Sequence, residues 1–185
     1  MICIRPALPT HPAASTALRS YLADVAGRWY GRPATADEVD AALRDDPSDE
    51  LAPPTGAFWL AELDGRVVGC IGVERVRVEQ VRVGHVPDEG AAMGTAGGKT
   101  ALVGEVKRVW VDASARGRGV GAALLTTVEQ HAREHGLTTL RLDTRDDLVE
   151  SHRLYERHGF VRVPAFNAGP YAQRWYAKEL DPAGT

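Results

Sequence analysis

At 185 residues the chain is long enough to bury one sizeable core, and its 44% apolar and 25% charged residues are ordinary globular values. A net charge of −3 leaves no electrostatic footprint for nucleic acid, and no apolar run approaches the ~18 residues of a membrane span. The first residues carry no secretory apolar segment, and Cys3 and Cys70 stand alone among apolar neighbours, so reduced thiols and a cytoplasmic location are expected.

Ile2–Arg5 reads as a short strand, ended by Pro6 and Pro9. A helix is predicted from about Pro12, with Leu18, Tyr21, Leu22, Val25 and Trp29 at helical spacing and a break at Gly31-Arg32-Pro33. Thr35-Ala36-Asp37-Glu38 is a capping-box pattern opening a second short helix through Val39, Ala42 and Leu43. A loop rich in Pro and Asp leads to a hairpin, Ala57–Leu63 and Arg66–Val73, around the turn Asp64-Gly65. Val76, Val78, Val81 and Val83 extend the second strand, with a phase slip at Glu79-Gln80 that reads as a bulge or a small second hairpin. Gly84–Gly98, with five glycines, is predicted to be a long mobile loop, either a tolerated surface insertion or a lid over an acceptor.

The most informative stretch is Glu105–Ala122. Val106, Val109, Trp110 and Val111 fit a half-buried strand. After Asp112–Ala115, a helix opens at Arg116–Ala122 and continues through Leu124, Leu125, Val128 and Ala132 to a stop at Gly136. A helix N-terminus leaves N–H groups unpaired and carries partial positive charge. Gly117, Gly119 and Gly121 are expected to let a ligand approach that backbone, and Arg116 and Arg118 add charge. Together these residues form a cradle for a diphosphate. A dinucleotide fingerprint fits poorly, because about five residues separate strand from turn. A P-loop ending at Gly98-Lys99-Thr100 would need its first glycine at Met93.

Thr138–Asp143 is the next strand, parallel to the one before it. Asp147–Glu150 is a capping signal for a helix ending at Gly159, with Leu148, Ser151, His152 and Tyr155 on one face. Phe160–Val163 and Gln173–Leu180 are the last strands, around the loop Pro164–Pro170. The order β-α-α-β-β-β-α-β-α-β-β predicts a single domain over residues 1–185. The fold class is α/β, a mixed, mostly antiparallel twisted sheet with helices on both faces.

Two motifs carry a resemblance. Arg116, Gly119 and Gly121 match Arg-x-x-Gly-x-Gly, and Leu154-Tyr155-Glu156-Arg157-His158-Gly159-Phe160 matches L-Y-x-x-x-G-F. Both resemble signatures of the GNAT family of N-acetyltransferases, in the family's order, and the resemblance covers most of the chain, best over 100–180. It implies acetyl-CoA as acyl donor, with Val109, Trp110 and Val111 beside the pantetheine arm. It places Arg116, Gly117, Arg118, Gly119, Val120, Gly121 and Ala122 on the diphosphate. Tyr155 is the implied general acid. Glu105 is the implied base, directly or through water, on the face shared by strand alternation with Lys107, Val109 and Val111. Leu148 stands where many relatives have a pantetheine-binding Asn, leaving Ser151 as the nearest polar substitute.

The expected function is transfer of an acetyl group to a primary amine of a small molecule, within a ternary complex and without metal, nucleic acid or membrane. Acetylation of a protein or peptide and non-catalytic acyl-CoA sensing are the alternatives; a longer acyl group stays open, and the resemblance is compatible with a homodimer. The acceptor is expected between Arg28–Arg32 and Phe166–Tyr171, with Arg28 and Arg32 reading a carboxylate or phosphate. His131-Ala132-Arg133-Glu134-His135 matches a zinc string but reads as an amphipathic helix. His85, in the glycine-rich loop, is a further acid/base candidate for the acceptor side.

Overall fold

The computed structural model describes residues 1–79 and 100–181. The phase slip after Glu79, the continuation through Val81 and Val83, the Gly84–Gly98 loop and His85 lie outside the described residues.

Strand β1 (Ile2–Pro6) leads into helix α1 (Pro12–Tyr30). Pro12 starts the helix at a position where a missing N–H costs nothing, and Gly31 ends it in the left-handed conformation, φ 65°. Helix α2 (Ala36–Asp45) opens with the predicted capping box: Thr35 accepts from the Glu38 N–H, and Glu38 accepts from the Thr35 N–H. A 3₁₀ turn at Asp49–Leu51 then buries Leu51 completely. Strands β2 (Gly56–Leu63) and β3 (Arg66–Glu79) meet at Asp64-Gly65, whose φ values of 52° and 80° give the predicted two-residue turn. β4 (Thr100–Val111) starts ahead of the predicted Glu105. Helix α3 (Val120–Glu134), β5 (Thr139–Thr144), α4 (Val149–Arg157), β6 (Val161–Val163) and β7 (Arg174–Glu179) complete the order.

The seven strands form one sheet in the order β1-β2-β3-β4-β5-β7-β6, with β4 and β5 its parallel pair. Ala14, Ala17 and Leu18 of α1 pack with Phe58, Leu60, Cys70 and Trp110 on one face. Val120, Leu124, Leu125 and Val128 of α3 and Tyr155 of α4 pack with Ile71, Val73 and Val106 on the other. Among the described residues no helix is long and apolar enough to cross a membrane.

Two departures from regular pairing shape the middle of the sheet. β4 pairs with β5 only over Val103–Glu105. Beyond Glu105 the two strands diverge, and β4 keeps its partner on the β3 side alone. The second departure is a bulge. Cys70 lies opposite Trp110 and Gly72 opposite Lys107, so β4 spends one more residue than β3 between these pairs. Arg108 absorbs it at φ 57°.

The bulge corrects the expectation that Glu105, Lys107, Val109 and Val111 share a face. One extra residue reverses the alternation, so Val109 and Val111 pack against the α3 core while Trp110 joins the α1 core. The capping signal at Asp147 is also corrected. Leu148 is the N-cap of α4 and has no side-chain cap, because Asp147 accepts two hydrogen bonds from Arg145, at 2.8 and 2.6 Å. A bidentate charged pair outcompetes a single bond to a helix N–H.

Candidate active site

Beyond Glu105, β4 runs on without a β5 partner, and the predicted cradle lies at its end. The Asp112 carboxylate accepts from the Ser114 N–H at 2.9 Å and turns the chain into a 3₁₀ turn at Ala113–Ala115. Gly117 and Gly119 then adopt φ 74° and 85°, a conformation that a Cβ disfavours. Gly119 is the N-cap of α3 and supplies no side chain to it. The first-turn N–H groups of Val120, Gly121 and Ala122 therefore carry no side-chain cap, which suits an anion.

Gly121 has a different reason to be glycine than the one expected. A Cβ there would lie 2.9 Å from Leu154 Cδ2, so the residue lets α3 approach α4. Val120 offers only its backbone, since its side chain is in the core.

The arginines of this region form a ring of alternating charge. Arg116 donates to the Val111 carbonyl at 3.1 Å and to Asp24 at 2.6 Å, and its guanidinium lies 3.7 Å from Glu150. Arg28 reaches the same two carboxylates, at 3.3 and 2.6 Å. Burial opposes ionisation of Glu150, but its hydrogen bond from Arg28 and the neighbouring charges outweigh this and lower its pKa. Arg118 stays exposed, 3.7 Å from Asp64. Arg32 pairs with Glu38 at 2.6 and 3.0 Å. Arg28 and Arg32, expected to read an acceptor carboxylate or phosphate, are thus both already paired. Arg28 sits with the cradle arginine, and Arg32 is spent on the α2 capping box.

Tyr155 is buried, its ring 6.0 Å from Phe160 and 5.9 Å from Tyr176 between centroids. Burial, reinforced by the nearby Tyr21 phenol, drives its pKa far above the usual tyrosine value; Ser151, one turn earlier, opposes this only partly. The phenol is therefore a proton donor across the working pH range. Ser151 lies one turn before Tyr155 on α4.

Glu105 lies in register with Arg141 on β5. Arg141 donates to Glu105 Oε1 through Nε, at 2.9 Å, and through a second guanidinium nitrogen. Its guanidinium stacks on Phe166, 4.3 Å from the ring centroid. Among the described residues Glu105 Oε2 has no hydrogen-bond partner. Lys107 instead pairs with Glu74 at 2.7 Å and lies 3.5 Å from Glu50. The two segments expected to flank the acceptor do meet: Trp29 touches Tyr171. Arg108, Arg141 and Arg145 had no role in the sequence; an arginine amid the apolar residues of β4 was the one available signal.

The zinc string is part of a packed helix face. His131 lies edge-on to Trp59 and stacks on His135, with centroids 4.9 and 3.9 Å apart. Burial and the neighbouring His135 lower its pKa. Among the described residues no group of three His, Cys, Asp or Glu side chains could hold a metal.

Residues 22–160 match the acetyltransferase (GNAT) family model. The chain belongs to the GNAT family. It is 30% identical over 158 residues to the human N-acetylaspartate synthetase, a match covering 83% of this chain and 42% of that one. It is 34% identical over 139 residues to a mycothiol acetyltransferase from Parafrankia, covering 75% of this chain and 38% of that one. The chain spans less than half the length of these relatives. A GNAT acetyltransferase from Staphylococcus aureus has the same fold, with a TM-score of 0.66 at 18% identity over 98% of this chain and all of the other. A GNAT acetyltransferase from Elizabethkingia anophelis, solved with acetyl-CoA bound, scores 0.55 at 18% identity over 97% of this chain and 98% of that one.

Proposed function

We propose that this chain is an acetyl-CoA-dependent N-acetyltransferase acting on a primary amine of a small molecule. The observation that carries the reading is the end of β4–β5 pairing at Glu105. β4 leaves β5 after Glu105, the uncapped N-terminus of α3 follows β4, and a protonated, buried Tyr155 stands beside the α3 core. The names of the relatives, N-acetylaspartate synthetase and mycothiol acetyltransferase, support a small acceptor.

Backbone N–H groups of Gly117 through Ala122, with Arg116 and Arg118, would hold the diphosphate. Main-chain groups of Val109–Val111, which lack a β5 partner, would hold the pantetheine arm. A main-chain N–H freed by the bulge would meet the negative charge that develops on the thioester oxygen.

The amine nitrogen forms a bond to the acyl carbon, the C–S bond breaks, and the electron pair leaves with sulfur. Tyr155 gives its proton to that sulfur, whose thiol has a pKa of roughly 8.5 and needs only modest help, and the phenolate regains a proton from the attacking nitrogen as it becomes a neutral amide. The attacking ammonium, with a pKa near ~10, must lose a proton first. Glu105 Oε2 takes it through water, while Arg141 holds the carboxylate in place through Oε1.

Thermal stability with acetyl-CoA, CoA, NAD and ATP tests the first half of this reading. A native-state ligand at a hundredfold excess over Kd adds about 2.7 kcal/mol. A shift with both CoA species and none with NAD or ATP is expected, followed by thiol release when amines are added. Absence of any shift with CoA would overturn it.

A further inference from the structure

We propose that Arg108 is a positioning residue for acetyl transfer, fixing the bulge of β4 against the segment that leaves α2; this rests on the function proposed above. Arg108 holds φ 57°, a region that residues with a Cβ rarely occupy. It does so where β4 has already lost its β5 partner. Backbone strain at such a point persists only when the surroundings over-determine it.

The surroundings here are specific. The Arg108 guanidinium is buried, with its side chain 8% exposed. Nε donates to Ser48 Oγ at 3.1 Å, Nη1 to Asp46 Oδ2 at 2.8 Å, and Nη2 to the Asp46 and Pro47 carbonyls at 2.9 and 3.4 Å. It also rests on the Tyr21 ring of α1, 5.8 Å from the centroid. From behind, the Arg108 carbonyl accepts from Cys70 Sγ at 3.3 Å.

A bulge alone does not need this. Glycine would adopt the same φ without strain, and an apolar side chain would suit the face that carries Trp110. The guanidinium instead ties the bulge to residues 46–48, the segment leaving α2. The planar fork has enough donors to fix four main-chain and side-chain acceptors at once, which the three donors of a lysine cannot do. Arg108 therefore makes the orientation of the Lys107–Val109 peptides depend on the 46–48 segment. These are the peptides that would face the reacting carbonyl. Small displacements there cost rate rather than binding, because the charge they stabilise exists only in the transition state.

The test compares wild type with Arg108→Gly, which keeps the backbone conformation open, and with Arg108→Lys and Asp46→Asn. Acetyl-CoA affinity, acceptor KM, kcat and melting temperature are measured on each. For Arg108→Gly the expectation is unchanged acetyl-CoA affinity and a kcat loss of at least about 10²-fold, the effect of a displaced oxyanion donor. Arg108→Lys and Asp46→Asn should fall between. Unchanged kcat in Arg108→Gly, or kcat, acetyl-CoA affinity and melting temperature declining together across the series, overturns the proposal. A readout independent of turnover is the Val109 amide resonance. It should differ between acetyl-CoA and CoA in wild type, and this difference should vanish in Arg108→Gly, or in Arg108→Lys if the glycine variant does not fold. A Val109 amide that never distinguishes the two ligands counts against the positioning role. A wild-type protein that binds CoA but turns over no amine counts against the proposed function instead.

Discussion

Trp29 and Tyr171 meet edge to face, with ring centroids 5.3 Å apart and planes at 78°. One ends α1 and the other lies between β6 and β7, so two segments remote in sequence form one lip. Arg145 supports it: its guanidinium lies 5.1 Å from the Trp29 ring centroid and is fixed by Asp147 and by the Val25 carbonyl at 2.5 Å. Both rings stay about half exposed, at 51% and 56%. Aromatic surface left open in this way is suited to contact an acceptor. Trp29→Ala is expected to raise the acceptor KM about tenfold, equivalent to ~1.4 kcal/mol. The acetyl-CoA-induced thermal shift should stay as it is. Initial-rate kinetics and melting curves check this, and loss of the shift with KM intact would assign the lip to the cofactor.

Tyr155→Phe removes one oxygen from a ring that otherwise stays packed on Phe160 and Tyr176. If the phenol donates to the leaving sulfur, kcat should fall by roughly 10²-fold or more, the usual worth of a positioned acid. Acetyl-CoA affinity should be unchanged. Because burial raises the Tyr155 pKa above the ordinary value of 10.0, wild-type kcat/KM should rise with amine deprotonation and show no alkaline fall from this group below that value. A fall near neutrality that disappears in Tyr155→Phe would mean that the phenol ionises far below its ordinary value, and would overturn the assignment of a buried, protonated acid.

The features that sequence made legible are those governed by local rules. Gly31 and Gly136 stop helices, Thr35 and Glu38 cap one, and Asp64-Gly65 turns a hairpin, each through its own backbone. The cradle was readable because a helix N-terminus, its glycines and its arginines are contiguous. The bulge was not, because whether β4 holds an extra residue depends on what packs across it. A Cβ at Gly72 would lie 2.6 Å from Leu51, and one at Gly69 would lie 2.8 Å from the Trp110 carbonyl, so β3 is shaped by residues the strand pattern does not contain. The partners of Glu105, Arg28 and Asp147 were hidden for the same reason. Each is set by a side chain on another element, and strand alternation or helical spacing carries no information about it.

The glycines of the cradle separate conformation from packing. Gly121→Ala places a methyl 2.9 Å from Leu154 and should destabilise by about 1–3 kcal/mol, as overpacking does. Its acetyl-CoA affinity, measured on folded protein, should change little. Gly117→Ala meets no neighbour, yet φ 74° is unfavourable for alanine by roughly 1–2 kcal/mol. Relaxing that strain would re-aim the loop N–H groups, so acetyl-CoA affinity should fall. Calorimetric titration with melting curves distinguishes the two. Equal affinity losses in both variants would return Gly121 to the cradle.

Glu38 links pH to the α2 cap. A hydrogen bond from Arg32, and then the Thr35 N–H at 2.8 Å, hold its carboxyl down to about 2, against a usual 4.5. A pKa lowered in the folded state contributes stability that is fully present above the unfolded value and is lost as pH falls through the folded one. The contribution should therefore be complete above about pH 5 and fade toward about pH 2. Glu38→Gln should be less stable than wild type near neutrality, with the gap closing on acidification. Since the pair is exposed, added salt should shrink the Arg32 share while leaving the bond to the Thr35 N–H in place. Melting temperatures of both proteins across that pH window, at low and high salt, decide it. Curves that run parallel at every pH would mean that the ionisation of Glu38 does not contribute to stability.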